Sequence, residues 1–228
     1  MKKNHTIVVI SILLSINLFS QQTKIFGELN YNTFSHSSLQ QFQKDFIDDL
    51  NNIPAKVNDN FPSNIGFTIG VDLVENNIGL FGSYNFTGGK ISYSDYSGAI
   101  KITQEISAFT IGGIYYFDIF KDKRLKLGLK AFGTFSTLKL DSYANISNTI
   151  NQESLGFKSF DFGTGAMIAY EYPLSFIIIR ASTGFDLVFG GKLKFDNNSK
   201  FHLENNSGTP IKTEWTGLRT GIGVAFPF

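Results

Sequence analysis

Few side chains in this sequence are suited to chemistry. It has three histidines and no cysteine, which excludes thiolate nucleophiles, disulfides and sulfur-ligated metals. His36 stands between Ser35 and Ser37, and a Ser94-Asp95 pair follows in a later polar stretch. A histidine base, an acid to orient it and a serine nucleophile would make an acyl-transfer site. Ser and Asp are common in every polar stretch here, and no strand carries a His-x-Ser pair, so no catalytic residue is assigned. His36 and His202 do not make a metal site, and Asp48-Asp49 fits the solvated face of a helix. Neither a metal nor a cofactor is expected.

A second set of ionisable residues is more informative. Glu28, Lys130, Asp161, Arg180, Asp186 and Arg219 each occur within a segment of period-2 alternation, on the face occupied by small or polar residues. That period belongs to strands with two unlike faces. The segments are Ile25–Phe34, Ile65–Leu73, Ile78–Phe86, Ile106–Phe117, Leu125–Leu138, Phe160–Tyr170, Ile177–Leu187 and Leu218–Phe228. In the last, Leu218, Ile222, Val224 and Phe226 alternate with Arg219, Gly221, Gly223 and Ala225. In Ile106–Phe117 both faces are apolar, and Phe109, Ile111, Tyr115 and Phe117 are assigned outward. Eight such segments are each close to the roughly 9–11 residues a tilted membrane strand requires.

The connections alternate in length. Short turns lie at 74–77, 118–124 and 171–175, and long polar segments at 35–64, 87–105, 139–159 and 188–214. Three short and four long connections suit an even-stranded barrel with both ends on one side of a membrane. Tyr31, Phe34, Tyr84 and Phe86 lie near one set of strand ends. Tyr116, Phe117, Tyr170, Tyr172, Phe226 and Phe228 lie near the other, as two interfacial girdles would. The architecture expected is an all-β, antiparallel, up-and-down transmembrane barrel of eight strands with long extracellular loops.

The first long segment carries one short helix. Leu39, Phe42, Phe46 and Leu50 recur at helical spacing, Ser38 and Gln41 suit a capping box, and Pro54 ends the pattern. That apolar face would cover the barrel mouth, rest on the lipid surface or receive a partner.

Eight strands leave an interior just wide enough for side chains, so charges inside must pair. Counted from the short-turn end, Glu28, Lys130 and Arg180 fall in one layer, and Asp161, Asp186 and Arg219 in a second nearer the outside. Asp72, Lys126 and Glu171 fall at the inner rim. Paired layers of this kind would plug the lumen, or gate an ion path through it.

Composition agrees with a sheet facing lipid. Charged residues are 17% and aromatic residues 15% of the 228, with 24 Phe and 22 Gly. A formal net charge of +1 gives no reason to expect nucleic acid. Residues 1–20 read as a secretory signal peptide, with Lys2 and Lys3 ahead of the apolar run Ile7–Leu18. The barrel then occupies residues 21–228.

The leader, the eight segments and the closing Gly221-Ile222-Gly223-Val224-Ala225-Phe226-Pro227-Phe228 resemble the small bacterial outer-membrane β-barrel class. Its best-known members are the membrane domain of outer-membrane protein A and outer-membrane protein X. The resemblance is one of pattern and spans nearly the whole mature chain. It implies residence in the outer membrane among lipid and lipopolysaccharide. It also implies recognition of the terminal Phe228 by the barrel assembly machinery. The role expected is non-enzymatic: structural, adhesive or partner-binding through the extracellular loops, with an unidentified extracellular ligand. A narrow channel or transport accessory barrel is one alternative. A lipid A-modifying enzyme is another.

Overall fold

Water is absent from the core of a bilayer, so a sheet there must pair every backbone amide within itself, and closing into a ring achieves this. The computed structural model describes residues 23–50, 53–96, 98–117, 124–146 and 149–227. The leader and Phe228 lie outside these described residues. In chain order the elements are β1 (Thr23–Phe34), α1 (Ser37–Asp49), β2 (Lys56–Asn60), β3 (Asn64–Leu73), β4 (Ile78–Asp95) and β5 (Gly98–Phe117). They continue with β6 (Leu125–Ile146), β7 (Thr149–Leu174), β8 (Ile177–Gly190), β9 (Lys194–Phe195) and β10 (Gly217–Pro227). Eight of these strands form an antiparallel ring in the order β1-β3-β4-β5-β6-β7-β8-β10. β10 closes on β1 from Lys24↔Pro227 to Phe34↔Gly217. Among the described residues no helix is long and apolar enough to cross a membrane; the strands do the crossing.

The ring is taller on one side. β1, β3 and β10 have 12, 10 and 11 residues, whereas β5, β6 and β7 have 20, 22 and 26. The segments 87–105 and 139–159 continue the ladders outward, to the pairs Asp95↔Gly98 and Ile146↔Thr149. Their inward residues Ile91 and Ile102 are buried, with Tyr93 and Leu140 packed against them, so these extensions have a core of their own. The polar majority of those segments hid this alternation. β2 adds to the outer part of β4, and β9 to the outer part of β7.

The outward face carries a continuous apolar band. Leu29, Ile69 and Ile222 at its middle are 64%, 61% and 64% exposed. Phe109, Ile111, Tyr115 and Phe117 all face outward. Phe86, Phe109, Phe135, Phe160 and Phe189 edge the band on the long-loop side, and Tyr115, Phe117, Tyr170, Tyr172 and Phe226 on the other. A band this extensive is stable against lipid and not against water. Two residues assigned to the girdles face inward. Phe34 is buried beneath the outer loops and Tyr116 within the lumen. Strand parity places Tyr116 opposite Tyr115 and Phe117, and Phe34 on the face of Glu28.

Replacing Ile222 with Arg should reduce the free energy of folding into lipid vesicles by about 2–4 kcal/mol, as for a cation near the bilayer midplane. Urea titration of vesicle-embedded protein reads that loss. An unchanged midpoint would place Ile222 away from lipid.

Candidate functional site

The lumen is occupied from the inner end upward. One ladder row runs Glu171–Arg180–Gly223–Glu28 across β7, β8, β10 and β1. Arg180 is fully buried and uses all three guanidinium nitrogens. Nε donates to Glu28 at 2.7 Å, Nη1 to Asp72 at 2.7 Å and Glu171 at 3.0 Å, and Nη2 to the Tyr116 hydroxyl at 2.8 Å. Tyr116 donates onward to Asp72 at 3.0 Å. The Phe26 ring lies under the guanidinium at 4.2 Å. Glu171 also receives Lys24 at 2.7 Å and lies 3.4 Å from Lys126. Three cations therefore meet three carboxylates, which is the condition for keeping any of them charged in so narrow a space.

A second group lies higher. Lys130 pairs with Asp186, which also receives Arg219 at 3.2 Å. Lys130 reaches its partner across Gly165, the residue between them in the row. A Cβ on Gly165 would fall 2.5 Å from the Asp186 carboxylate and 3.1 Å from Lys130 Cε. Between the two charge groups a cavity of about 30 Å³, lined by Phe81, Ile114 and Met167 among others, admits water and no larger solute.

These rows differ from layers counted along the chain. Lys130 joins Asp186 and Arg219, not Glu28 and Arg180. Asp72, Lys126 and Glu171, placed at the rim by counting, belong to the Arg180 group. Asp161 stands apart from both. It lies four residues along β7 from Gly165, about 13 Å further out at the usual strand rise. Its carboxylate accepts from the Ser159 and Thr213 hydroxyls at 3.1 and 3.0 Å. Strand tilt and stagger cause each difference, because equal counts from a turn are not equal heights in a sheared ring.

The outer mouth is closed by the first and last loops. Leu39 of α1 joins Phe34, Ile106, Leu138, Phe157 and Trp215 in an apolar core. Phe42 packs against this core, while Phe46 and Leu50 pack against Ala55, Ile91 and Ile102. The helix face is therefore spent on the barrel itself. The expected capping box does not form: Gln41 bonds Asp45, and Ser38 Oγ accepts the Lys212 amide. Instead Glu214, from the last loop, accepts the Ser38 amide at 2.7 Å and the Ser37 hydroxyl at 2.6 Å. A carboxylate there complements the positive end of the helix dipole.

His36 lies inside this cap. Its Nδ1 donates to the Thr213 carbonyl at 2.6 Å, and its ring meets Trp215 edge-on at 4.8 Å. Burial pushes its pKa down to about 4, against smaller raising effects of the Thr213 carbonyl and Glu214. Ser94 and Asp95 lie at the tip of the β4–β5 hairpin, where Asp95 accepts from Tyr93 and the Gly98 amide. His202 pairs with Glu204. These groups do not converge on a nucleophile, and among the described residues there is no cluster of metal ligands.

Sequence reasoning assigned Tyr116 to a girdle and missed Thr213, Glu214 and Trp215. The last loop did carry a signal, since Ile211, Thr213, Trp215 and Gly217 are buried alternately with Lys212, Glu214 and Thr216, in register with the inward face of β10.

No family model and no curated protein matches this sequence. Among solved structures, a major outer membrane protein from Thermus thermophilus is similar with a TM-score of 0.52 at 10% identity, over 90% of this chain and 99% of that one. Ail, the attachment invasion locus protein of Yersinia pestis, in complex with the heparin analogue sucrose octasulfate, gives 0.39 at 12% identity over 91% and 99%. Neisserial surface protein A gives 0.37 at 11% identity over 90% and 97%. The first likeness establishes the fold. The fold is that of a β-barrel membrane protein, and the lipid-facing band agrees with it.

Arg180→Met should destabilise the barrel by about 3–5 kcal/mol, because three buried carboxylates lose their central cation. Adding Glu28→Gln and Asp72→Asn should recover part of this in urea titrations. No recovery would mean that charge compensation is not what Arg180 supplies.

The cap should respond to pH. As pH falls the unfolded chain protonates His36 first, near its ordinary value of 6.5, while the folded form resists until about 4. The stability contributed by neutral His36 is complete above about pH 6.5 and lost between there and about 4, up to about 3 kcal/mol. Trp215 is the single tryptophan, so its quenching by iodide should rise across that window. His36→Gln should remove the dependence.

Proposed function

We propose that this outer-membrane barrel is a non-enzymatic contact protein, anchored by its ring and working through its extracellular extensions. The observation that carries this reading is the combination of a charge-compensated lumen with an apolar cap. Five basic and four acidic side chains pair inside, Asp161 is held by hydroxyls above them, and a ten-residue core closes the mouth. That arrangement leaves no passage for a solute, so the surface left for function is the outer one.

The extensions of β4 to β7 suit a contact role. Long antiparallel ladders with their own core make a stiff platform, unlike loops that must be ordered on binding. Across β5 and β6 the outward side chains of Lys101, Lys139, Asp141 and Tyr143 border a polar groove of about 350 Å³ that β7 completes. Donors and acceptors of both charges there fit a polar extracellular partner, a glycan or a peptide. Export through the leader of residues 1–20 and assembly directed by Phe228 complete this reading.

Refolded protein in planar lipid bilayers should give no conductance steps at neutral pH. Cells displaying the whole chain should adhere to components of a glycan and matrix-protein array. Adhesion should be lost when residues 90–103 and 141–154 are each replaced by a short turn. Ion conductance, or adhesion that survives both replacements, would overturn the proposal.

A further inference from the structure

The wall above the membrane on the β7 side is built against a local rule. β9 takes the edge of β7 beyond the end of β8, and the last loop continues the sheet from β9. In this patch two lysine pairs face each other, Lys158 directly opposite Lys194 and Lys192 opposite Lys212. Like charges opposed across strands are destabilising. Leu193 and Ile211 point into the cap core, which turns Lys192, Lys194 and Lys212 outward. Asp196 answers Lys158 at 2.9 Å, and Glu204 answers His202 at 2.8 Å. Among the described residues no acid pairs with Lys192, Lys194 or Lys212. A place where local preference is violated without internal compensation is where a functional contact is expected.

The same patch borders a cleft of about 610 Å³, lined by Lys158, Lys192, Lys194 and the single acid Asp196 above and by Phe135, Phe160 and Phe195. Phe135 and Phe160 touch, with ring centres 4.6 Å apart. Both belong to the outer edge of the lipid-facing band. Lys158 is on the same face of β7 as Phe160 and two residues beyond it, about 7 Å higher at the usual strand rise. The cleft thus straddles the level at which acyl chains give way to headgroups. It offers aromatic surface on the lipid side and, on the water side, Lys192 and Lys194 without an acid partner beside the Lys158–Asp196 pair.

We propose that this cleft seats a phosphorylated glycolipid of the outer leaflet. Its phosphate lies against Lys158, Lys192 and Lys194, and its first acyl carbons lie on Phe135 and Phe160. A soluble polyanion would satisfy the lysines and leave the aromatic floor bare; a neutral lipid would do the reverse. Only a ligand with both parts matches both halves. The site uses the membrane placement of the barrel and is separate from the hairpin platform.

The test uses the whole refolded chain in detergent micelles, titrated with bisphosphorylated lipid A and with the same lipid stripped of its phosphates. Binding is read by native mass spectrometry. Heat-modifiability on gels confirms that every variant is folded. Lipid A should bind the unaltered chain. Each of Lys158→Ser, Lys192→Ser and Lys194→Ser should weaken binding about fivefold, as expected for one cation at a lipid surface. The phosphate-free lipid should bind no better than the triple variant does to lipid A. Equal binding by the triple variant, or equal binding of the stripped lipid, would overturn the proposal. So would lysine-dependent capture of sucrose octasulfate without capture of lipid A, which would mark a soluble-polyanion site. The chain with both hairpins shortened should keep lipid A, so failure of the contact role and failure of this site give different results.

Discussion

Lipid gives backbone amides no partner, so the eleven-pair ladder between β1 and β10 is what permits this sheet to exist in a membrane. Once the ring closes at eight strands, its interior is narrow, and that width dictates the rest. A long side chain pointing inward must lie over a small one on the neighbouring strand. Lys130 crosses Gly165 to reach Asp186, and Phe132 lies over Gly163, where a Cβ would come within 2.1 Å of its ring. Glycine on the inward face is here a matter of space.

Narrowness also governs the charges. Water cannot surround an ion in this lumen, so each buried charge is held by an opposite one or by hydroxyls. Arg180 shows the requirement most fully: three carboxylates and a tyrosine hydroxyl around one guanidinium, with Lys24 and Lys126 balancing the surplus acid. Such groups are poor evidence for stability relative to an apolar core, yet removing one member is severe. The lumen is thereby sealed by pairing rather than by bulk, and the apolar cap seals it again above.

The outer half obeys different physics. There the strands leave lipid and both faces meet water or protein, so the outward apolar band ends at the ring of Phe86, Phe109, Phe135, Phe160 and Phe189. Inward alternation continues past this ring, which is why β4 to β7 extend as ladders instead of dissolving into loops. The first and last loops supply the side chains that fill the widened mouth. Glu214 ties them together by accepting from the start of α1.

The ring of strands was legible in the residues because a lipid-facing strand must be apolar at every second position. Leu218, Ile222, Val224 and Phe226 show that period in the last strand. The helix face of Leu39, Phe42, Phe46 and Leu50 was legible for the same reason at a different period. Which charges meet was not legible. Lys130 and Arg180 look equivalent when counted from their turns, yet strand tilt separates them, and Asp161 rises out of both groups to hold Thr213. The basic patch was hidden too, since Lys158 and Lys194 are 36 residues apart and become neighbours only when β9 takes the edge of β7. Periodicity is a local property that one strand carries by itself. Height and adjacency belong to the closed ring, because stagger between strands is set only when the last one pairs with the first.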